Sequence, residues 1–321
     1  MSSRRPRDPG AGLVGRVLKR EAAALSRALS VVTDETEGHE ELSRAFFAYH
    51  GRSHKIGLCG PPGSGKSSLV SRFLKGLRAA GETVGVLAVD PSSPFTGGAF
   101  LGDRIRFQEH ATDDGVFLRS LASRGQMGGL NATIFAAIRA MEAYGFDRII
   151  VETVGTGQDE VDIADVADTV IYVAAPYQGD EFQAMKAGAM EVTDLFAVNK
   201  ADLADVGRTV ASLEEALGLS QNGQEGWKPR VASVSAHTGQ GIPEFLSLID
   251  EHREYLRSGP EGRARTRRQL RRELALVMTR LIFRDVLGRV GDGHIERLLE
   301  KKSDPWTMGD ELLGGRRRGK S

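Results

Sequence analysis

Cysteine is almost missing from this chain: Cys59 stands alone among 321 residues. That excludes a disulfide within the chain and any zinc site built from several thiolates, and it makes a reducing compartment the expectation. An excess of charge is missing as well, because 43 Lys and Arg are balanced by 43 Asp and Glu. Binding driven by bulk charge is therefore excluded, and neither nucleic acid nor a membrane is expected as a partner. Long apolar runs are missing too. Stretches such as Thr169 to Ala175 fall far short of the roughly 20 residues a membrane helix needs, and the basic opening MSSRRPRDPG leads into no signal-peptide core. A cytoplasmic location is the expectation. Aromatic residues are few, at 6%, yet hydrophobic residues reach 40% and charged ones 27%, the range of a soluble globular chain rather than a disordered one.

Glycine is what the chain has in excess, 39 in 321 residues against an average near 7%, and its placement helps to divide the sequence. Residues 1–10, rich in Arg, Pro and Gly, read as a disordered tail. Over 11–52, Leu13, Val17, Ala22, Leu25 and Leu29, then Leu42, Phe46 and Phe47, recur at near-helical spacing, which predicts an N-terminal extension of two helices ending at Gly51. Residues 53–258 change rhythm. Apolar runs IGLC, VGVLAV, VFL, RIIVE, TVIYVAA, LFAVN and RVASVSA alternate with helical segments at about Lys66–Ala80, Asn131–Tyr144, from Glu181, at about Leu203–Leu217 and after Gly241. Such alternation predicts an α/β fold with a mostly parallel sheet, and near-continuous apolar strands predict helices on both of its faces. Over 259–302, Arg263, Arg265, Arg267, Arg268, Arg271 and Arg272 crowd around and ahead of Leu270, Leu274, Val277 and Leu281, which predicts a separate helical arm. Its arginines read as a solvated face or a surface for an acidic partner rather than a nucleic-acid site. Residues 303–321 read as a second disordered tail.

Three motifs carry chemistry. Gly60, Pro61, Pro62, Gly63, Ser64, Gly65, Lys66 and Ser67 fit GxxxxGK[ST] between a strand and a helix, followed by Ser68. In that context the loop's N–H groups cradle phosphate, Lys66 reaches the β and γ phosphates and the Ser67 hydroxyl holds Mg²⁺. Asn199, Lys200 and Asp202, in Asn-Lys-Ala-Asp after the strand LFAV, offer a carboxylate able to accept two hydrogen bonds from guanine, an edge that adenine does not present. Asp202 is also a natural helix cap. Ser235, Ala236 and His237 close the next strand, where a backbone N–H can meet the guanine carbonyl. Glu152 and Gly155, in Glu-Thr-Val-Gly, end the strand RIIVE with an acid and a glycine suited to sensing a γ-phosphate. Asp90, at the end of VGVLAV, and Asp103, in the following Gly/Ser/Pro loop, are further candidates for the metal shell, with helix capping as the alternative for each.

Taken together, the P-loop, NKAD, VLAVDPSSPFTGGAFLGDRIRF, RGQMGGL, IIVETVGTGQDE and GDEFQAMKAG make the chain similar to the MeaB/ArgK family of P-loop GTPases over about residues 15–290. The resemblance implies a GTP hydrolase that serves as a metallochaperone, gating adenosylcobalamin loading of an acyl-CoA mutase and protecting or reactivating it. It implies GTP or GDP and Mg²⁺ as cofactors and a homodimer joined through the C-terminal arm. Lys66, Asp103 and Glu152 would act in catalysis, Ser67, Asp90, Asp103 and Glu152 around the metal, and Gln183 and Lys186 in a further switch loop facing the mutase. With no glutamine in the usual hydrolytic position, intrinsic turnover is expected to be slow and to rise with the partner. The alternatives are a nickel-insertion GTPase, which normally shows Cys/His clusters, and a kinase, which needs an acceptor domain.

Overall fold

The seven apolar runs become seven strands: β1 (His54–Cys59), β2 (Val84–Asp90), β3 (Val116–Ala122), β4 (Arg148–Thr153), β5 (Thr169–Ala174), β6 (Leu195–Val198) and β7 (Arg230–Ser233). In the computed structural model, which describes residues 9–90, 108–110, 112–122, 132–153, 163–176, 189–203, 205–220 and 226–314, they form one sheet of order β3-β2-β4-β1-β5-β6-β7. Every pairing is parallel. Each residue of β1, β4, β5 and β6 is buried, as expected of strands covered on both faces.

Alternate residues of the strands build the two sides. Ile56, Leu58, Val84, Val86, Ile150, Ile171 and Val173 join Leu69, Val70, Phe73 and Leu74 of α4 (Lys66–Ala79) and Phe245 and Ile249 of a helix at Ile242–Ser258 in one core. Phe73 and Phe245 stack there, ring centres 5.6 Å apart. On the opposite side Met141, from a helix at Ala132–Tyr144, and Phe146 lie against Gly85 of β2.

The N-terminal extension holds three helices rather than the expected two: α1 (Pro9–Leu18), α2 (Ala22–Asp34) and α3 (His39–Phe47). Leu13 to Leu29 keep helical spacing across a break at Arg20, which turns with a positive φ and donates from Nη2 to Gly145 O at 2.9 Å. With Ala132–Tyr144 as α5, the remaining helices in the described residues are α6 (Ala189–Val192), α7 (Val206–Ser220), α8 (Ile242–Ser258), α9 (Pro260–Leu287), α10 (Asp292–Leu299) and α11 (Pro305–Gly314). The helix expected from Glu181 falls outside the described residues, α6 apart. Residues 305–314 correct the reading of 303–321 as a tail. Asp304 accepts from the backbone N–H of Trp306 at 2.9 Å and of Thr307 at 3.1 Å, an N-cap with proline in the first turn.

The chain divides into two compact units between Gln269 and Leu270, within α9, rather than at Gly259. The first turns of α9 stay with the sheet because their polar side chains are buried against it. Arg265 donates to both carboxylate oxygens of Asp194 at 2.6 and 2.8 Å, and Gln269 donates to Ala167 O at 2.8 Å.

These contacts end a buried polar seam along the start of the strands. Arg148 has only protons to give, so His54 Nδ1 accepts from it at 2.8 Å, and the remaining N–H at His54 Nε2 faces Thr169 Oγ1 at 2.8 Å. Thr169 then donates to His252 Nδ1 at 2.8 Å, and His252 Nε2 faces Asp194 at 3.4 Å. Burial outweighs the neighbouring carboxylates and holds both rings neutral, with His54 lowered to about 3 and His252 to about 4. Beside the seam, Lys55 pairs with Asp168 at 3.0 Å.

Candidate functional site

At the opposite end of the sheet, the strand termini carry the predicted motifs. The chain leaves β1, central between β4 and β5, and turns through Gly60–Ser67 into α4. Two glycines there are required by their surroundings. Gly60 takes φ +130°, and a side chain on it would run into the Val173 carbonyl. At Gly65, φ is +93° and a side chain would displace the Asn199 amide. Lys66, buried, extends back along the loop and donates from Nζ to Gly60 O at 2.7 Å and to Pro61 O at 3.0 Å. The ammonium therefore sits at the loop's inner edge, close to the N-terminal end of a fourteen-residue helix, a combination suited to an anion.

Ser67 and Glu152 are brought together although 85 residues separate them: Ser67 Oγ donates to Glu152 Oε1 at 2.5 Å, and both side chains are buried. Parallel pairing of β1 with β4 sets Leu58 opposite Glu152, which carries the acid to the foot of the P-loop. Asp90 closes β2 in register with Ala122 of β3 at this same end of the sheet. Asp103, Gly155, Gln183 and Lys186 lie outside the described residues.

Asn199 joins two loops. Its Nδ2 donates to Ser64 O at 2.8 Å and its Oδ1 accepts from Ala236 N–H at 3.0 Å. The predicted brace on the P-loop is thus present, and the same amide also fixes the loop after β7. Lys200 follows with a left-handed φ of 63°, turning the chain so that Asp202 faces that loop. Ser235 Oγ donates to Asp202 Oδ1 and accepts from Thr238 N–H at 3.0 Å. The Ser235 hydroxyl, with His237 nearby, holds the Asp202 carboxyl below the usual carboxylate range. Of the three N–H groups at Ser235, Ala236 and His237, the first bonds Gln240 O and the second Asn199.

Sequence reasoning missed Arg72. From the second turn of α4 it donates to Ala236 O through Nε at 2.6 Å and to His237 O through Nη2. No motif contains it, and its acceptors are backbone carbonyls 164 and 165 residues away, which leave no local signal. Also missed was His110, buried and 3.0 Å from Ser71 Oγ of α4. Among the described residues, no group of three or more His, Cys, Asp or Glu is placed to hold a metal ion.

Comparison with known proteins agrees with this arrangement. The family described as Methylmalonyl Co-A mutase-associated GTPase MeaB matches residues 25–290. A provisionally named GTPase of Pyrococcus abyssi is 40% identical over 313 residues, covering 94% of this chain and 97% of its own. GTPase ArgK of Escherichia coli is 37% identical over 244 residues, 74% of this chain and 73% of that protein. The mouse mitochondrial methylmalonic aciduria type A homolog is 37% identical over 218 residues, 67% of this chain and 52% of that one. Among solved structures, the LAO/AO transport system kinase has the same fold, with a TM-score of 0.68 at 24% identity, covering 98% of this chain and all of that one. No helix in the described residues is long and apolar enough to cross a membrane. The parallel sheet, the P-loop at its centre and the family match agree: this chain belongs to the MeaB family of P-loop GTPases and is a GTP hydrolase.

Proposed function

We propose that the protein binds GTP and GDP with Mg²⁺ and uses the cycle between them to serve an adenosylcobalamin-dependent acyl-CoA mutase, gating cofactor loading and protecting or reactivating that enzyme. The observation that carries the nucleotide reading is Asn199, whose one amide ties Ser64 of the phosphate loop to Ala236 of the base loop, with Asp202 beside it. A carboxylate and a backbone loop at that spacing match the guanine edge. Lys66 and the P-loop N–H groups would neutralise the β and γ phosphates, so positioning and electrostatics supply most of the rate.

The donor set at Ser67 and Glu152 fits Mg²⁺. A hydroxyl and a carboxylate are hard oxygen donors, and they stand side by side beneath the P-loop. Ser67 would ligate the ion and Glu152 would orient its water shell, with Asp90 and Asp103 as further acids. Bound there, the ion supplies charge neutralisation at the bridging and γ oxygens. Gly155 would sense the γ-phosphate, and Gln183 and Lys186 would answer to the mutase.

The mutase as client is supported by the family's description as mutase-associated and by the mouse relative's name. A homodimer through the C-terminal arm is supported by exposed Leu274, Leu281, Phe283 and Leu287 on α9, and a cytoplasmic location by the scarcity of cysteine. The test is GTP hydrolysis by the purified protein, with ATP as control, alone and with each cofactor-free acyl-CoA mutase. A slow GTP-selective rate that rises with one mutase is the expected result. Turnover of several per second alone, unchanged by every mutase, would remove the chaperone reading.

A further inference from the structure

We propose that Arg72 is a positioning residue for guanine selectivity: from the P-loop helix it fixes the two peptide planes that aim the base-reading groups of the loop after β7. The proposal rests on the reading of Asp202 and the Ser235–His237 loop as the guanine site.

Arg72 lies six residues beyond Lys66 on α4, about 9 Å along the helix axis at 1.5 Å per residue. Its guanidinium spans two consecutive carbonyls, Ala236 O at 2.6 Å from Nε and His237 O at Nη2. A planar fork matches two adjacent acceptors, whereas an ammonium is a point charge that fixes neither direction. In a trans peptide the carbonyl and the following N–H point in opposite directions. Holding Ala236 O therefore turns the His237 N–H away from Arg72. Fixing His237 O likewise turns the Thr238 N–H toward Ser235 Oγ, which it meets at 3.0 Å, and that hydroxyl donates in turn to Asp202 Oδ1.

Both ends of the Ala236 residue are thus gripped, its N–H by Asn199 Oδ1 and its carbonyl by Arg72. Two side chains share the work: Asn199 binds the base loop to the P-loop, and Arg72 binds it to the helix that the P-loop opens. Without Arg72 the loop would remain tethered by Asn199 and by its own bonds at Ser235, but its next two carbonyls would lose the side chain that aims them. The loss would fall on recognition of the base and spare the phosphates.

The test compares the full chain with Arg72→Ala and Arg72→Lys, using GTP, ITP, which lacks the exocyclic amine that Asp202 would read, and inorganic tripolyphosphate as a phosphate-only probe. In the parent protein GTP should be preferred to ITP by tenfold or more in kcat/KM. Arg72→Ala should raise the KM for GTP about tenfold with kcat within about twofold, shrink the GTP-to-ITP preference to about twofold, and leave tripolyphosphate affinity unchanged. Arg72→Lys, which keeps the charge and guards against a folding defect, should lose most of the same preference. A variant of either kind that keeps the parent's GTP-to-ITP ratio overturns the role of Arg72. A parent protein without that preference would instead overturn the guanine site itself.

Discussion

Arg265 and Asp194 meet through both nitrogens and both oxygens, at 2.6 and 2.8 Å, in a position where neither side chain has ready access to water. One partner roots α9, and the other precedes β6 and also accepts from the N–H of Val170 at 2.8 Å. Such a pair is worth little against two apolar residues of the same shape, but breaking it leaves a buried charge uncompensated. Arg265→Ala should therefore cost about 3–5 kcal/mol, read as a lowered urea midpoint. Replacing both partners together, Arg265→Met with Asp194→Leu, should recover part of that loss. Equal losses in the single and double variants would refute the account.

Two of the buried imidazoles give stability a definite pH dependence. His54 and His252 have pKa values of about 3 and about 4 in the folded chain, against an ordinary value near 6.5 in the unfolded one. The unfolded chain then binds more protons between those limits, so the histidines' contribution is full above pH 6.5 and is lost as the pH falls toward 4. Denaturant melts at pH 7.5, 6 and 5 should show the decline, and His252→Gln should flatten it. A steeper fall in the variant would contradict the assignment.

Glu142 works in the opposite sense. Burial raises its carboxyl to about 7, while its Oε1 accepts from Gly51 N–H at 2.9 Å. The folded chain holds this proton when the unfolded chain has lost it, so ionisation weakens the fold as the pH rises above about 4.5. Glu142→Gln keeps an acceptor for Gly51 and removes the charge. It should stabilise the protein by about 1–3 kcal/mol at pH 8 and by little at pH 5, measured in the same melts.

Asn199→Ala would strip Ser64 O and Ala236 N–H of their shared partner. Leaving two backbone groups unpaired costs on the order of 1–3 kcal/mol. Because these loops frame the proposed nucleotide site, the cost should show as a ten- to hundredfold weaker affinity for GDP in a titration, with the far-ultraviolet circular dichroism unchanged.

At the other contact across the site, Glu152→Gln should leave GDP affinity within about threefold while lowering the GTP turnover rate by a factor of about 100, as expected when one electrostatic group is lost from a phosphoryl-transfer site. Single-turnover kinetics at saturating Mg²⁺ would separate the two. A variant that hydrolyses at the parent rate would place the water-orienting acid elsewhere.

Much of this arrangement was legible in the linear chain, and the exceptions share a cause. Apolar runs located all seven strands, most plainly β1, β4, β5 and β6, where burial on both faces leaves no room for polar alternation. The P-loop and NKAD stood out because their chemistry depends on residues close together in sequence. Arg72, His252, Thr169 and Arg265 act through partners 71 to 165 residues away, and no local spacing reports such pairs. The third N-terminal helix was hidden because apolar spacing runs on through the turn at Arg20. Helix α11 was a different case: Asp304, Pro305 and Thr307 form an N-terminal signature that composition alone obscured.

The placement of β1 at the middle of the sheet has a consequence for exchange with solvent. It is bordered by β4 and β5, and its residues are buried throughout. Its amides should be the last to take up deuterium, exchanging only when the whole sheet opens, whereas the loops proposed to grip the nucleotide hang from strand ends and can part without disturbing it. Loss of GDP should therefore quicken deuterium uptake at residues 60–65 and 235–239 and leave Ile56 to Cys59 as slow as before. A protein built this way can empty and refill its site many times within the lifetime of one folded molecule.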